Sequence, residues 1–179
     1  MPPTGSAPPA PPAGSGTSTD EAGPRERLRV GAPVSGTVVA LRDVPDPVFA
    51  QAFAGPGLAI EPSVDGDGIS TVVAPAAGTV GSLFPHAFAL EATGGRTVLV
   101  HLGIDTVRLG GEGFQLHVEP GDRVEAGATL LSWEPPRVAA LGLATVCSVI
   151  ALQGDPSLLT SLVRPGAAVR AGDPILAWG

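Results

Sequence analysis

Glycine and proline interrupt this chain so often that a bundle of long helices is excluded. The 179 residues include 25 Gly and 20 Pro. Proline removes a backbone donor from a helix, and glycine costs conformational entropy there. The segments between these residues are short and rich in Val, Leu, Ile and Thr: GTVVAL, LAIEP, STVVAP, AFALEA, TVLVHL and ATLLSW. Such runs, separated by Asp-Gly, Gly-Gly and Pro-Gly turns, predict an all-β fold, an antiparallel β-sandwich or barrel.

Two internal repeats refine this prediction. APVSGTV at Ala32 returns as APAAGTV at Ala74, and VEPGDRVEAGATLL at Val118 returns as VRPGAAVRAGDPIL at Val163. In both copies of the longer repeat, Pro-Gly supplies a tight turn and the Val and Leu positions stay in step. Its pattern G-x-x-V-x-A-G-x-x-L resembles the barrel-sandwich hybrid folds. These folds include biotinyl and lipoyl carriers, lysostaphin-type zinc peptidases and glucose-type enzyme IIA proteins.

The amino-terminal segment differs in composition from the rest of the chain. Residues 1–27 contain seven Pro and four Gly but no Leu, Ile, Val or Phe. They are expected to form a disordered tail, followed by one domain over residues 28–179. With no signal-peptide pattern and only Cys147, a cytoplasmic location is expected. The uncharged stretch Val138–Gly154 is short for a membrane span and predicts buried strands instead.

Charge and missing residue types exclude several functions. The net charge is -7, and all ten basic residues are Arg. Nucleic acids and anionic membranes recruit clustered cations, so neither is an expected partner. Without any Lys, the chain cannot form a Schiff base, use a phosphate-loop lysine or carry a biotinyl or lipoyl group. The swinging-arm carriers are therefore excluded.

His86 and His101 lie on either side of a strand-turn-strand pattern whose turn contains Thr-Gly-Gly. A two-residue loop would place both side chains on one face, with Cβ atoms about 5 Å or about 7–8 Å apart. A three-residue loop would place them on opposite faces, because side chains alternate along a strand. We expect the two-residue loop and a shared face.

A histidine pair on an apolar strand suits phosphoryl transfer. One imidazole can act as the nucleophile while its neighbour donates a hydrogen bond to the transferring group. Asp105, which follows the strand, could orient a ring or add charge. Metal binding by His86, His101 and Asp105 is the chemical alternative, and two purely structural histidines are the non-functional one.

The longest motif points to a family. VHLGIDTVRLGGEGF resembles the active-histidine motif of glucose-type enzyme IIA of the sugar phosphotransferase system, and HAFALEATGGRTVLVHLGIDTV resembles its two-histidine hairpin. APVSGTVVALRDVPDPVFAQAFAGPGLAIEP resembles its opening strands, and the Pro-Gly repeats resemble its carboxyl-terminal portion. The resemblance spans about residues 30–179. It implies a duplicated barrel-sandwich hybrid fold.

This resemblance also implies roles for individual residues. His101 would accept a phosphoryl group from the phosphocarrier protein HPr and pass it to a cysteine on the IIB domain of a permease for glucose, N-acetylglucosamine or a related sugar. His86 would stabilise the transferring group without being phosphorylated. No metal or nucleotide cofactor is implied, because phosphohistidine is already an activated donor. The other matched positions are the acidic residues near the site, Asp46 and Asp105, and an apolar docking rim of Val48, Phe49, Leu99 and Val107.

One departure from the family pattern and two alternative functions remain. Relatives commonly have a Thr two residues before the first histidine, whereas the segment GSLFPH is shortened here and offers Ser82 as the substitute hydroxyl. A lysostaphin-type peptidase would use His101 and Asp105 as zinc ligands, but its H-x-H motif is missing and only His117 follows. A regulatory module that binds other proteins according to its phosphorylation state would use the same His101 and the same rim.

Overall fold

The computed structural model describes residues 26–179, so most of the predicted tail, residues 1–27, lies outside the described residues. The strands are β1 Leu28–Gly31, β2 Gly36–Val39, β3 Gly57–Pro62, β4 Ser70–Val73, β5 Gly78–Phe84, β6 Ala87–Ala92, β7 Thr97–Leu102, β8 Phe114–Leu116, β9 Arg123–Val124, β10 Thr129–Trp133, β11 Cys147–Ala151, β12 Leu159–Ser161, β13 Ala168–Val169 and β14 Pro174–Trp178. The α-helices are α1 Pro47–Ala50 and α2 Pro135–Ala140, and the 3-10 turns are Leu41–Asp43, Thr93–Gly95, Thr106–Leu109 and Pro156–Leu158.

The strands pair antiparallel in three sheets. The largest sheet has the order β13-β2-β3-β11-β7-β6-β5-β9, and the two smaller sheets have the orders β1-β14-β12 and β4-β10-β8. The predicted all-β antiparallel fold is confirmed, and each of the six runs noted in the sequence contains a strand. Strand β5 was not predicted from the sequence, and its register shifts at a bulge between Val80 and Ser82. Gly81 at this bulge breaks the apolar alternation that would have marked the strand.

The repeated segments occupy equivalent places, which confirms the duplication. In the first pairing, β9 lies on β5 with Gly78 opposite Val124. In the second, β13 lies on β2 with Gly36 opposite Val169. Glycine is required at such a position because a Cβ on Gly36 would overlap the carbonyl oxygen of Glu61 on the neighbouring strand. Each Gly-Thr-Val therefore lets another strand approach closely.

Two hydrophobic clusters lie on opposite faces of the large sheet. The main cluster includes Val100 and Leu102 from β7, together with Trp133 and Trp178 from the two small sheets. Leu99 faces the other way and packs against the second cluster. Because side chains alternate, His101 lies on the same face as Leu99. The second cluster contains Val44, Phe49, Ala59, Ile104, Val146 and Ile150.

The prediction of buried strands throughout Val138–Gly154 is only partly correct. The first residues of this stretch belong to α2, and β11 is the strand within it, with all five residues buried. Proline at the first helical positions of α2 explains the helix, because its fixed φ suits a helix start. None of the helices within residues 26–179 has the length and apolar character needed to cross a bilayer.

Candidate active site

His101 is the central residue of the candidate site. It lies near the end of β7, partly buried, with its ring centroid 5.2 Å from that of Phe49. Its Nδ1 is 2.7 Å from the carbonyl oxygen of Gly103. A carbonyl can only accept, so Nδ1 carries the proton and donates it in this bond. The lone pair of Nε2 is therefore available for chemistry.

A tight turn after β7 aims this carbonyl. Gly103 has φ +71°, and a Cβ there would lie 2.6 Å from the methyl carbon of Thr106. The buried Thr106 hydroxyl donates to the carbonyl of Leu102 at 2.6 Å, and the Gly103 N–H donates to the Val146 carbonyl at 3.1 Å. Glycine is needed here for both its left-handed backbone and its lack of a side chain. The turn thus holds the His101 ring through the main chain.

His86 lies beside His101 in the two-residue turn that joins β5 to β6. The two ring centroids are 5.2 Å apart and the ring planes are inclined at 66°. The His86 carbonyl accepts a hydrogen bond from the Leu102 N–H at 2.8 Å, which ties this turn to the end of β7. Both imidazoles can therefore reach one small anion.

His86 and His101 are brought together in a different way from the one predicted. The Ala92 N–H donates to the Arg96 carbonyl, so the hairpin loop has three residues, Thr93–Gly95. Ala87 lies opposite His101, and the expected two-residue loop is wrong. Two glycines with φ of 73° and 70° permit the longer loop. Regular alternation would then turn His86 away from His101. However, His86 precedes β6 and lies in a turn, where strand alternation does not apply.

Asp46 caps α1 and brings a carboxylate near His101. Its Oδ1 accepts from the Val48 N–H at 2.8 Å and from the Phe49 N–H at 3.2 Å, with Pro47 in the first helical position. Helix α1 directs Phe49 into the second cluster, where it is only 8% exposed. Phe49 is therefore not the exposed rim residue that was expected. Its ring lies against the His101 ring and shields it from solvent on that side.

The surroundings keep both imidazoles neutral near pH 7. Burial lowers the pKa of His101, while its hydrogen bond to Gly103 and the charges of Asp46 and Asp105 act in the opposite direction. Burial and the proximity of His101 lower the pKa of His86. Asp105 is exposed and has φ 59° at the start of the 3-10 turn Thr106–Leu109. A neutral imidazole is the form that can act as a nucleophile.

Exposed apolar side chains lie on the segments that flank the two histidines and Phe49. Val48 and Val107 lie on the surface, as expected for a rim, with Val107 62% exposed. Leu99 is only partly exposed and packs against the second cluster, so it contributes to the packing of the site and not to its exposed rim. Sequence reasoning missed two aromatic members, Phe53 and Phe84, which are 72% and 56% exposed. We call Val48, Phe53, Phe84 and Val107 the apolar rim.

The sequence positions of Phe84 and Phe53 could have indicated that both residues belong to the site. Phe84 immediately precedes the two-residue turn, and its ring centroid is 6.0 Å from that of His86. Phe53 follows α1, and its N–H donates to the Val48 carbonyl at 3.0 Å. Several exposed apolar side chains on neighbouring segments mark an interaction surface, whereas a single exposed one does not. Their proximity in sequence to His86 and Asp46 therefore marks them as part of the same surface.

The remaining candidates lie apart from the reacting atoms. Ser82 is exposed on β5, and the His101 ring uses the Gly103 carbonyl instead of that hydroxyl. His117 is close to Ser132, with Nε2 3.1 Å from Oγ, beside a different sheet. Within the described part of the chain, no group of three or more His, Cys, Asp or Glu is arranged to hold a metal ion.

Comparisons with known proteins agree with this fold and site. The family model for the phosphoenolpyruvate-dependent sugar phosphotransferase system, EIIA 1, matches residues 28–157. The glucose-specific EIIA component of Halalkalibacterium halodurans is 41% identical over 76% of this chain and 76% of its own length. The N-acetylglucosamine-specific EIICBA component of Klebsiella pneumoniae is 39% identical over 80% of this chain, which spans only 22% of that protein. Glucose permease IIA from Mycoplasma capricolum superposes with a TM-score of 0.75 at 30% identity, covering 85% of this chain and 96% of that one.

The duplicated β fold, the paired histidines and these matches define a phosphotransferase of a sugar uptake system. More particularly, the chain belongs to the EIIA 1 family of the phosphoenolpyruvate-dependent sugar phosphotransferase system. Family membership also decides against the lysostaphin-type peptidase interpretation.

Proposed function

We propose that His101 accepts a phosphoryl group on Nε2 from phosphorylated HPr and passes it to the IIB domain of a sugar permease. The hydrogen bond from Nδ1 to the Gly103 carbonyl, 2.7 Å long, carries this proposal. It leaves Nε2 unprotonated without any prior proton transfer. The ring is therefore ready to act as a nucleophile in each cycle.

The transfer step needs no cofactor. The Nε2 lone pair forms a bond to phosphorus, while the donor's bond to phosphorus breaks and its electron pair stays on the donor. His86, held neutral by the burial that lowers its pKa, can donate its ring N–H to a phosphoryl oxygen as negative charge spreads over the transferring group. Asp46 and Asp105 offset the positive charge that the His101 ring gains. The reverse sequence of bonds delivers the group to the acceptor.

The apolar rim is the proposed docking surface for both partners. Its exposed side chains lie on segments that flank the histidine pair, and exposed apolar patches mark protein interaction sites. The Corynebacterium glutamicum relative is named a glucose-specific EIIBCA component, so A, B and C parts share one chain there. We infer a separate or attached IIB domain as the acceptor here. Glucose and N-acetylglucosamine, the sugars in the relatives' names, are the proposed substrates of the coupled permease. The expected location is the cytoplasm.

Labelling with phosphoenolpyruvate tests the proposal. The protein is incubated with enzyme I, HPr and labelled phosphoenolpyruvate, and an acid-labile, base-stable phosphoryl group is expected. His101→Ala should abolish the label, whereas His86→Gln should still accept it but transfer it onward slowly. Label that persists in His101→Ala would refute the assignment. Labelling without transfer to any IIB domain would instead support the regulatory module.

A pair of rim variants tests the docking surface. Val107→Glu should raise KM for phosphorylated HPr by about tenfold, because it buries a charge in the apolar interface. Leu158→Glu is the matched control. Leu158 is also exposed, but it lies with Thr93 and Gly94 at the opposite end of the β6–β7 hairpin. Equal effects of the two substitutions would show that the rim is not the contact surface.

A further inference from the structure

Ser148 carries a buried hydroxyl that the proposed reaction does not yet use. The residue is 0% exposed in the middle of β11. Its Oγ has no hydrogen-bond partner within residues 26–179. Leaving a buried hydroxyl unpaired destabilises a fold, and Ala or Val at this position would avoid that cost. An unpaired group of this kind in a native structure calls for an explanation.

The hydroxyl lies directly beside His101. Ser148 is the register partner of His101 in the β11–β7 pair, so both side chains project from the same face with Cβ atoms about 5 Å apart. The neighbours of Ser148 on this face of β11 are Val146 and Ile150, which belong to the second cluster. Phe49 closes the same region against the His101 ring. Ser148 therefore places a polar group within an otherwise apolar layer behind the ring.

Phosphorylation changes the charge of that ring. When Nε2 bonds to phosphorus, Nδ1 keeps its proton in the bond to Gly103, so the imidazole becomes positively charged. The apolar layer disfavours this charge, as it does in simple protonation. Because the Ser148 Oγ has no hydrogen-bond partner within residues 26–179, its hydroxyl can direct an oxygen lone pair toward the cation without breaking another hydrogen bond. Such a preoriented dipole is most effective where water is excluded.

We propose that Ser148 is a positioning residue that acts through His101, its hydroxyl oxygen turning toward the ring to stabilise the charged imidazole of the phosphorylated state. This inference rests on the proposed function. It explains why a destabilising hydroxyl is present at this point of β11. It also adds a second polar group beside the ring, in addition to the Gly103 carbonyl.

The test compares Ser148→Ala with Ser148→Thr, which keeps a hydroxyl. In Ser148→Ala, the equilibrium constant for phosphoryl transfer from HPr to His101 should fall about two- to fivefold, the effect of one weak contact between the hydroxyl oxygen and a C–H group of the charged ring. The pKa of His101, followed by NMR titration of the unphosphorylated protein, should fall as well, while stability in urea stays equal or rises. The other titratable groups that act on the ring, His86, Asp46 and Asp105, are unchanged in these variants. Ser148→Thr should restore both properties toward wild type.

Ser70→Ala provides the matched control. Ser70 is another buried serine, located on β4 in a small sheet, and its loss should alter neither the equilibrium nor the His101 pKa. An unchanged equilibrium in Ser148→Ala, with normal labelling of the wild-type protein, would overturn this inference alone. Absence of label on the wild-type protein would overturn the proposed function and this inference with it.

Discussion

At the level of single residues, two opposing effects act on the pKa of His101. Its surroundings of Phe49 and Leu99 disfavour a charged ring, whereas the Gly103 carbonyl and nearby carboxylates favour one. Burial is the larger effect, so the pKa is lowered. The ring therefore rests in the neutral form, yet it has acceptors and charges ready when it becomes positive.

The same burial makes stability depend on pH. Both histidines have a pKa lowered by burial in the folded state, while the unfolded chain binds protons near its ordinary value of about 6.5. Above that value neither state is protonated and the stability is fully present. As the pH falls below it, the unfolded state binds more protons and stability is lost. We expect the free energy of unfolding of wild type to decrease more between about pH 8 and about pH 5 than that of a His86→Gln, His101→Gln double variant.

Urea denaturation at the two pH values measures this difference. The double variant retains the carboxylates, so their acid titration cancels in the comparison. Equal acid losses in the two proteins would mean that the histidines are not destabilised as cations in the fold.

Asp46 combines a structural and an electrostatic role that can be separated. Asp46→Asn keeps a good helix cap for α1 but removes the negative charge near His101. The pKa of His101 should therefore fall further in Asp46→Asn, measured by NMR titration. Asp155→Asn is the control, because Asp155 likewise accepts from the N–H two residues on, at Ser157, but does not act on His101. A His101 pKa that is unchanged in Asp46→Asn would remove Asp46 from the electrostatics of the site.

At the level of elements, the turn after β7 determines the direction of the His101 ring. Gly103→Ala meets two penalties: a left-handed backbone, and a Cβ within 2.8 Å of the Ala144 carbonyl oxygen. Gly68→Ala has nearly the same φ, +75° against +71°, but its nearest neighbour is an ordinary 3.7 Å away. Left-handed strain costs roughly 1–2 kcal/mol in each case. Overpacking should add at least about 1 kcal/mol for Gly103→Ala alone.

Chemical denaturation and phosphorylation rates together check this expectation. Gly103→Ala should be the less stable variant and should also accept phosphoryl groups more slowly, because its carbonyl no longer holds Nδ1 in place. Gly68→Ala should react at the wild-type rate. A Gly103→Ala protein with wild-type kinetics would show that the carbonyl does not orient the ring.

These elements also show which features of the structure can be predicted from the sequence. Strands such as β3, β6 and β7 could be predicted because each is a short, mainly apolar run bounded by Gly or Pro turns. The internal repeats predicted a duplicated fold. Loop length was not readable, since Thr-Gly-Gly supports two- and three-residue turns equally well. The burial of Phe49 depends on α1, whose Asp-Pro start is a recognisable helix signal that the sequence analysis did not use. The unpaired hydroxyl of Ser148 depends on strand register, which local patterns do not specify.

For the molecule as a whole, duplication leads to one shared core rather than two independent halves. The equivalent strands β10 and β14 end in Trp133 and Trp178, and both indoles pack in the main cluster with side chains of the large sheet. Detaching either small sheet from the core would expose apolar surface that the other elements cover. The histidine hairpin β6–β7 therefore rests on a scaffold to which both repeats contribute.

Single-tryptophan variants can test this shared core. Trp133→Phe leaves Trp178 as the reporter of one small sheet, and Trp178→Phe leaves Trp133 as the reporter of the other. Because one cluster joins the sheets, fluorescence and far-UV circular dichroism should give the same urea midpoint within each variant. Trp133→Phe should also cost less stability than a loss of packing alone predicts, since its buried Nε1 has no partner within residues 26–179 and phenylalanine removes that unpaired donor. Fluorescence midpoints that depart from circular dichroism in either variant would show that the repeats unfold separately, and the site would then rest on only one of them.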